Sequence, residues 1–269
     1  MPRFRLTVEY DGTDFAGFQL QSPDLRTVQG VLEAAIRKCA GAVSRVHCAG
    51  RTDAGVHATG QVIHFDTEWR IPEGLICRVL NHSLPRDVRA KDAQVVDERF
   101  HARFSATGRT YRYAILNREA AGALLERFAW HVHEPLDLNA MRGAAAHLTG
   151  IHDWAAFGQP DMPHKSSVRR IEAITITPRP PVIYLTVRGN AFLRHQVRAF
   201  VGTLFRVGIG RLAPDAVAQI RDGRDRARCP AVAPAWGLTL TRVHYDGVRV
   251  TGEPPWQVWQ SDGEDEDGE

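Results

Sequence analysis

The sequence has few cysteines and no motif typical of a metal site. Its 269 residues include four cysteines, which lie far apart and form no C-x-x-C pair: Cys39, Cys48, Cys77 and Cys229. This spacing argues against a disulfide framework and against a structural zinc site. The 12 histidines form no H-E-x-x-H or similar ligand pair, so we expect no metal site.

The sequence also lacks an apolar run near the roughly 20 residues that are needed to cross a bilayer. Residues 1–12, MPRFRLTVEYDG, alternate charged and apolar side chains and contain no apolar stretch of the kind found in signal peptides. We therefore expect a cytoplasmic protein that does not bind a membrane.

Lysine is scarce, with three residues among the 34 basic side chains. Six of the 31 acidic residues lie in the last eight positions, so without this tail the balance is 34 minus 25, or +9. Arginine presents a flat fork of donors that matches phosphate groups, and an arginine-rich body fits a polyanionic partner. A GC-rich genome or adaptation to heat would also favour arginine over lysine. We expect the acidic tail to be disordered.

The hydrophobic pattern predicts an alternation of strands and helices. Residues 3–10, RFRLTVEY, alternate apolar and polar side chains, which predicts a strand with one buried face. Further strands are predicted near 45–49, 60–66, 87–96, 108–116, 168–177, 182–188 and 237–245, and helices near 27–40, 73–82, 136–150, 190–210 and after Pro214. This order indicates an α+β protein with largely antiparallel sheets. We expect an N-terminal lobe over residues 1–105, a C-terminal lobe over 106–250 and a tail over 251–269.

The segment GRTDAGVHA, residues 50–58, lies between two predicted strands and places Asp53 among residues with small side chains. Small neighbours let a flat ligand approach the backbone closely, and Arg51 would keep the carboxyl of Asp53 ionised. Such a carboxylate suits a nucleophile or a base. The same letters are also typical of a simple turn, because Asp and Gly are favoured there for conformational reasons.

The segment NAFLRHQVRAFVG, residues 190–202, predicts a broad apolar helix surface that crowds Arg198. A guanidinium cannot lose its proton on burial, so Arg198 would need an anionic partner, for which Asp53 is our candidate. The alternative is that its stem lies on apolar surface while its head stays in water. Arg194 lies four residues earlier, and on a continuous helix it would share the face of Arg198.

The segment RFHARFSATGRTYRY, residues 99–113, alternates arginines with aromatic residues. Arginines suit phosphates and aromatic faces suit unstacked bases, so the pattern indicates RNA binding. Tyr111 and Tyr113 point the same way on a strand, and the pattern does not choose between them. Both would also be ordinary strand residues.

Together these segments resemble the tRNA pseudouridine synthase A family. The resemblance covers about residues 4–245 and rests on AGRTDAGVHATGQVIHF, FHARFSATGRTYRY, NAFLRHQVRAFVGTL, APAWGL, EYDGT and TVQGVLEAAI. The chain departs from the family pattern at two positions of the first loop. Phe18 stands where the family usually has the Trp of G-W-Q, and Phe15 stands where a Tyr is common.

The resemblance implies roles for particular residues. The catalytic aspartate matches Asp53, the active-site tyrosine matches Tyr111, and the arginine that pairs with the aspartate matches Arg198. Arg51 matches an arginine that helps displace the target base. We also expect substrate contacts from four residues that lie inside the matching motifs: Gly55, His57, Arg109 and Leu238.

The resemblance further implies isomerisation of uridine to pseudouridine at positions 38, 39 and 40 of the tRNA anticodon stem-loop, without a cofactor, by a homodimer. It implies two similar α+β lobes around a long, mostly antiparallel mixed sheet flanked by helices, with the active-site cleft between the lobes. Two other functions fit parts of the pattern. An RNA-binding protein without catalysis would explain the arginines and aromatics, and a hydrolase with an Asp nucleophile would explain Asp53, although the D-x-D pair that a metal-dependent enzyme would use is absent from RTDAG.

Overall fold

The protein forms a long sheet flanked by helices in a computed structural model that describes residues 1–160 and 164–246. Its strands are β1 (Arg3–Tyr10), β2 (His47–Cys48), β3 (His57–Asp66), β4 (Val88–Val96), β5 (Gly108–Asn117), β6 (Trp130–Val132), β7 (Gly150–Asp153), β8 (Val168–Arg179), β9 (Val182–Gly189) and β10 (Leu238–His244). Its α-helices are α1 (Val28–Ala40), α2 (Glu73–Ser83), α3 (Leu138–Ala146), α4 (Gln196–Gly208) and α5 (Ala216–Gly223). The predicted acidic tail lies outside the described residues.

The ten strands make one sheet that joins the two halves of the chain. The order is β4-β1-β3-β10-β5-β9-β8-β7, with β2 beside β3 and β6 beside β5. All pairings are antiparallel except β10 with β3 and β5 with β6. With α1 packed on α2 in the first half and α3 on α4 in the second, the structure confirms the predicted α+β class. The division at residues 105 and 106 stays a prediction.

The join between the halves is where β10 lies next to the start of β3. Thr239 and Leu240 of β10 pair with His57 and Ala58, the first two residues of β3. On its other edge β10 pairs with β5. The loop that carries Asp53 ends where β3 begins, so the strand order places this loop at the meeting point of the two halves.

The first strand differs from its prediction, because both of its faces are buried. Arg5 and Thr7, expected on a solvent face, are 1% and 0% exposed. Arg5 contacts Asp92 of β4 at 2.9 Å. The reason is that the segment after β4 folds back over this face, where Phe100 packs against His64 of β3. Alternation along one strand cannot reveal such a distant cover.

One hydrophobic core runs through both halves and includes residues of β1, β3, β5 and β9 together with the apolar sides of α1 and α4. Alternate residues of β5 point to opposite faces, and Ala114 and Leu116 therefore join a smaller cluster with Val182 and Tyr184. Thr27 caps α1 by accepting a hydrogen bond from the backbone N–H of Gly30, the interaction expected at a helix start.

Candidate active site

A cleft of about 780 Å³ lies at the join of the two halves. Its volume falls in the range of roughly 300–1,000 Å³ that small-ligand sites occupy. The first half contributes residues 49–54 and the loop after β1, and the second half contributes β5, residues 191–198 and the start of β10. Asp53, Tyr111 and Arg198, which are distant in sequence, all line this cleft.

Asp53 lies in a tight turn that opens into the cleft. The backbone N–H of Val56 donates to the carbonyl oxygen of Asp53 at 3.1 Å, and Gly55 takes a φ of +77°, which favours glycine. The residue before Asp53 is fixed by a hydrogen bond between the hydroxyl groups of Tyr10 and Thr52, which lie 2.8 Å apart. Both interpretations of TDAG therefore hold: the segment is a turn, and it presents a carboxylate.

Arg198 pairs with Asp53, as the sequence predicts. Its Nη1 lies 3.3 Å from Oδ2 of Asp53, and its Nε donates to the carbonyl oxygen of Ala233 at 2.8 Å. The side chain is 15% exposed. A guanidinium held at two points fixes the direction of the carboxylate as well as balancing its charge.

His195 is a site residue that the sequence reasoning missed. Its Nε2 lies 3.5 Å from Oδ2 of Asp53, the same oxygen that Arg198 contacts. Burial lowers the pKa of His195, although the carboxylate of Asp53 acts in the opposite direction, so the imidazole is neutral near pH 7. Its place next to Arg194 and close to Arg198 in the sequence did not by itself single it out.

The backbone of His195 is also unusual, with φ of 64° and ψ of 0° immediately before α4. A residue other than glycine seldom takes a positive φ, and such strain is concentrated at functional sites. This conformation starts α4 at Gln196, so Arg194 lies outside the helix. The expectation that Arg194 and Arg198 share a helix face is therefore wrong.

The two oxygens of Asp53 have different surroundings. Arg198 and His195 both approach Oδ2, while Oδ1 has no hydrogen-bond or ion-pair partner within residues 1–160 and 164–246. The side chain is 29% exposed. One oxygen is thus anchored and the other has no such partner in a side chain that lines the cleft, as a nucleophile or a base requires.

Tyr111 and Tyr113 occupy different environments. Tyr111 lines the cleft, and its ring makes an edge contact with Phe192 at a centroid distance of 5.3 Å. Burial raises the pKa of Tyr111, so its phenol is protonated at neutral pH. Tyr113 is fully buried, and its hydroxyl donates to the carbonyl oxygen of Pro234 at 2.9 Å. The structure therefore selects Tyr111 as the cleft tyrosine.

Arg109 lines the cleft and connects three segments around it. Its guanidinium donates at 2.8 Å to each of three backbone carbonyl oxygens, those of Ala49, Arg103 and Asn190. Burial lowers the pKa of Arg109, but a guanidinium stays charged in proteins. No carboxylate forms an ion pair with it in the part of the chain that the structure describes, so its positive charge favours an anion in the cleft.

The remaining predicted site residues divide into two groups. Arg51 and Leu238 line the cleft; Arg51 is exposed and makes no ion pair with Asp53 within the described ranges. Gly55 and His57 do not line it. The ring of His57 is buried, accepts from the N–H of Gly12 at 3.0 Å and lies 3.0 Å from the carbonyl oxygen of Trp236. His57 therefore holds the two halves together.

The two departures in the first loop are also buried. Phe15 and Phe18 are 3% and 1% exposed. The guanidinium of Arg26 lies 4.0 Å from the ring centre of Phe15. Phe15 does not line the cleft, so its departure from the pattern affects interior packing. Phe18 does line the cleft, so its departure changes a surface that a substrate could contact.

Neither metal ligands nor a membrane span stand out in the described ranges. Within residues 1–160 and 164–246 the structure contains no group of three or more His, Cys, Asp or Glu side chains placed to hold a metal ion. None of the helices in those ranges combines the length and apolar character needed to cross a bilayer.

The fold and the site define an α+β protein with an anchored carboxylate in an arginine-lined cleft. Residues 6–105 and 144–246 match the model of a family described as tRNA pseudouridine synthase. The chain is 46% identical over 246 residues to tRNA pseudouridine synthase A of Paramagnetospirillum magneticum, with 91% of this chain and 96% of the relative covered. The protein of that name from Methylobacterium sp. is 48% identical over 248 residues, with 91% and 98% covered.

The same name belongs to a relative from Alcanivorax borkumensis, which is 42% identical over 265 residues and covers 97% of this chain and 98% of its own. A crystal structure of a Cbf5-Nop10-Gar1 complex aligns with 88% of this chain and 57% of its own chain at 12% identity, with a TM-score of 0.35. That score is too low to support an argument. The sequence matches show that the chain belongs to the tRNA pseudouridine synthase family, so it is an isomerase that converts uridine to pseudouridine in tRNA.

Proposed function

We propose that this enzyme modifies uridines 38, 39 and 40 in the anticodon stem-loop of tRNA, with Asp53 as the catalytic carboxylate. The observation that carries the proposal is the unequal environment of its two oxygens. Oδ2 is held by Arg198 at 3.3 Å and approached by His195 at 3.5 Å, which leaves Oδ1 available to a substrate in the cleft that Asp53 lines. The positions in tRNA come from the family resemblance.

The reaction breaks the bond between C1′ of the ribose and N1 of uracil, turns the base and joins C5 to C1′. A paired base cannot be reached in its stack, so the uridine must first leave the helix. Oδ1 of Asp53 then attacks C1′, attacks C6 of the ring or removes a proton from the ribose. All three routes use the side chain of Asp53 as a carboxylate, and its Oδ2 lies 3.3 Å from the guanidinium of Arg198.

The other cleft residues have roles that follow from their positions. The ring of Tyr111 would stack on the detached uracil, and its protonated hydroxyl would donate to a uracil oxygen. Gly50 lies next to this hydroxyl, since a Cβ at this position would be in ordinary contact with the hydroxyl oxygen of Tyr111 at 3.5 Å. Arg51 is exposed at the cleft and would contact phosphate or take the place of the displaced base.

The test of the tRNA positions is to map pseudouridine in an unmodified tRNA transcript before and after incubation with the enzyme. We expect new pseudouridine at positions 38, 39 and 40 wherever these are uridine, and none elsewhere. Transcripts in which each uridine is changed singly to cytidine are the matched controls. Modification confined to another arm of the tRNA would refute the anticodon assignment.

The family resemblance also supports a cytoplasmic homodimer that works without a cofactor. The measurement for the oligomeric state is the mass in solution by light scattering. A mass of twice 30.0 kDa would agree with the proposal, and a mass of one chain at working concentration would contradict it.

A further inference from the structure

Phe104 is the most exposed phenylalanine, tyrosine or tryptophan in the part of the chain that the structure describes. Its side chain is 79% exposed, while all five tyrosines are buried and Trp236 is 44% exposed. Phe104 lies in the short segment between β4 and β5, next to Arg103, which lines the cleft. A single exposed apolar residue is common on protein surfaces; Phe104 differs in its position next to an arginine of the cleft lining and in the rigid turn that carries it.

The turn that carries Phe104 is tightly fixed. Nδ1 of His101 accepts from the backbone N–H groups of Arg103 at 3.1 Å and Phe104 at 3.3 Å. The N–H of His101 donates to Oγ of Ser105 at 2.9 Å, and Arg109 binds the carbonyl oxygen of Arg103 at 2.8 Å. The backbone beneath the exposed ring is thus ordered before any partner arrives, which reduces the entropy lost on binding.

Phe104 is also the outer end of a series of ring contacts that begins in the core, where His64 meets His101 edge-on at 62° and His101 meets Phe104 at a tilt of 35°. The buried ring of His64 lies 4.5 Å from that of His101, and His101 lies 4.3 Å from the ring of Phe104. His64 is fixed in turn, because its Nδ1 accepts from the N–H of Ala102 at 3.1 Å. Another flat ring could therefore add to the outer face of Phe104.

The positive charge of Arg103 favours a nucleobase as the ring that stacks on Phe104. The guanidinium of Arg103 lies 6.0 Å from the ring centre of Phe104, and Arg103 shares the cleft lining with Asp53. Arginine beside an exposed aromatic is the combination by which proteins hold unstacked bases and the phosphates between them. A protein partner would not need this arrangement next to the carboxylate.

We infer that Phe104 is a stacking platform for an unpaired base of tRNA that neighbours the flipped uridine. Displacing one uridine leaves adjacent bases with an uncovered face, and a rigid ring next to the cleft-lining Arg103 replaces the lost stack. This inference rests on the proposed function in one respect, since it requires the modified segment of the RNA to enter the cleft.

The test compares Phe104→Ala, Phe104→Trp and the control Leu124→Ala, which removes a side chain that is 91% exposed and has no cleft-lining residue next to it in the sequence. The measurement is the Kd for an unmodified anticodon stem-loop RNA at several salt concentrations. We expect Phe104→Ala to weaken binding about tenfold, the effect of losing one base–aromatic stack. Phe104→Trp should bind like the wild type, and Leu124→Ala should change nothing.

The dependence on salt separates stacking from charge. Phe104→Ala removes no phosphate contact, so the slope of log Kd against log salt should stay as in the wild type. The Tm should also stay unchanged, because the side chain is on the surface. The inference would be overturned if Phe104→Ala bound the RNA with the affinity of the wild type, or if Phe104→Trp bound it as weakly as Phe104→Ala.

Failure of this inference and failure of the proposed function give different results, because the binding assay needs no turnover. Normal modification of positions 38–40 together with binding that is independent of Phe104 would refute the platform alone. Binding that depends on Phe104, without modification at these positions, would refute the proposed tRNA positions alone.

Discussion

At the scale of single residues, the pair of Asp53 and Arg198 is the feature that sequence reasoning predicted best. A guanidinium among apolar helix residues needs an anion because it cannot shed its proton, and a carboxylate among small residues was the available partner. His195 escaped prediction because its left-handed backbone has no signature in the sequence. His57 was expected at the substrate because its motif contains Asp53, yet the start of β3 turns its ring away.

Exchanging each of two nearby arginines for lysine tests the geometry of this pair. Arg198→Lys keeps the charge but cannot reach Oδ2 of Asp53 and the carbonyl oxygen of Ala233 with one fork. We expect kcat to fall about tenfold or more, the cost of a lost hydrogen bond to a charged group. Arg194→Lys should change kcat less than about twofold, because Arg194 is exposed and lies outside α4. The measurement is the rate of pseudouridine formation in a single turnover, with the enzyme in saturating excess over tRNA.

Similar losses in the two lysine variants would mean that general positive charge, rather than a fixed guanidinium, supports the carboxylate. A loss of activity confined to Arg194→Lys would show that Arg194, rather than Arg198, supports the carboxylate. The Kd for tRNA should be measured for both variants, so that weaker binding is not mistaken for slower chemistry.

At the scale of elements, hydrophobic periodicity predicted the long helices and strands, and it failed where tertiary packing decides the boundary. β3 begins at His57 rather than near residue 60, because its first residues pair with the distant β10. The three-residue β6 is too short to show a period. The helical pattern around Arg194 was genuine, but the positive φ of His195 delays the start of α4.

Two helical glycines test how α4 positions Arg198. A Cβ at Gly202 would lie 2.1 Å from the carbonyl oxygen of Ala231, and this backbone cannot move without shifting Ala233, the second anchor of Arg198. Gly202→Ala should therefore lower the free energy of unfolding by about 1–3 kcal/mol and reduce kcat. Gly143 in α3 has no atom within 4 Å of its Cβ position, so Gly143→Ala should raise the free energy of unfolding by roughly 0.5–1 kcal/mol.

Denaturant unfolding and single-turnover rates of the two glycine variants supply the measurements. A stable and fully active Gly202→Ala protein would show that the segment after residue 230 is not held against α4 as described. Gly143→Ala is the matched control for helix propensity, and it should leave kcat unchanged.

At the scale of the whole molecule, the sequence predicted two α+β halves but not how they meet. The parallel pairing of β10 with β3 involves residues that are more than 170 positions apart, and no local pattern encodes it. This pairing brings the Asp53 loop against β5 and α4, so the active site exists only in the assembled sheet. The positive balance of the body favours the approach of a polyanion such as tRNA.

The central claim is that the carboxylate of Asp53 performs the chemistry. The most direct measurement is tritium release from tRNA that carries 5-tritiated uridine, with the tRNA Kd measured in parallel for the wild type and Asp53→Asn. The amide keeps the size of the side chain but cannot act as an anion. We predict that Asp53→Asn lowers the release rate about a thousandfold or more while Kd stays within about threefold. Release at the wild-type rate by Asp53→Asn would contradict the account.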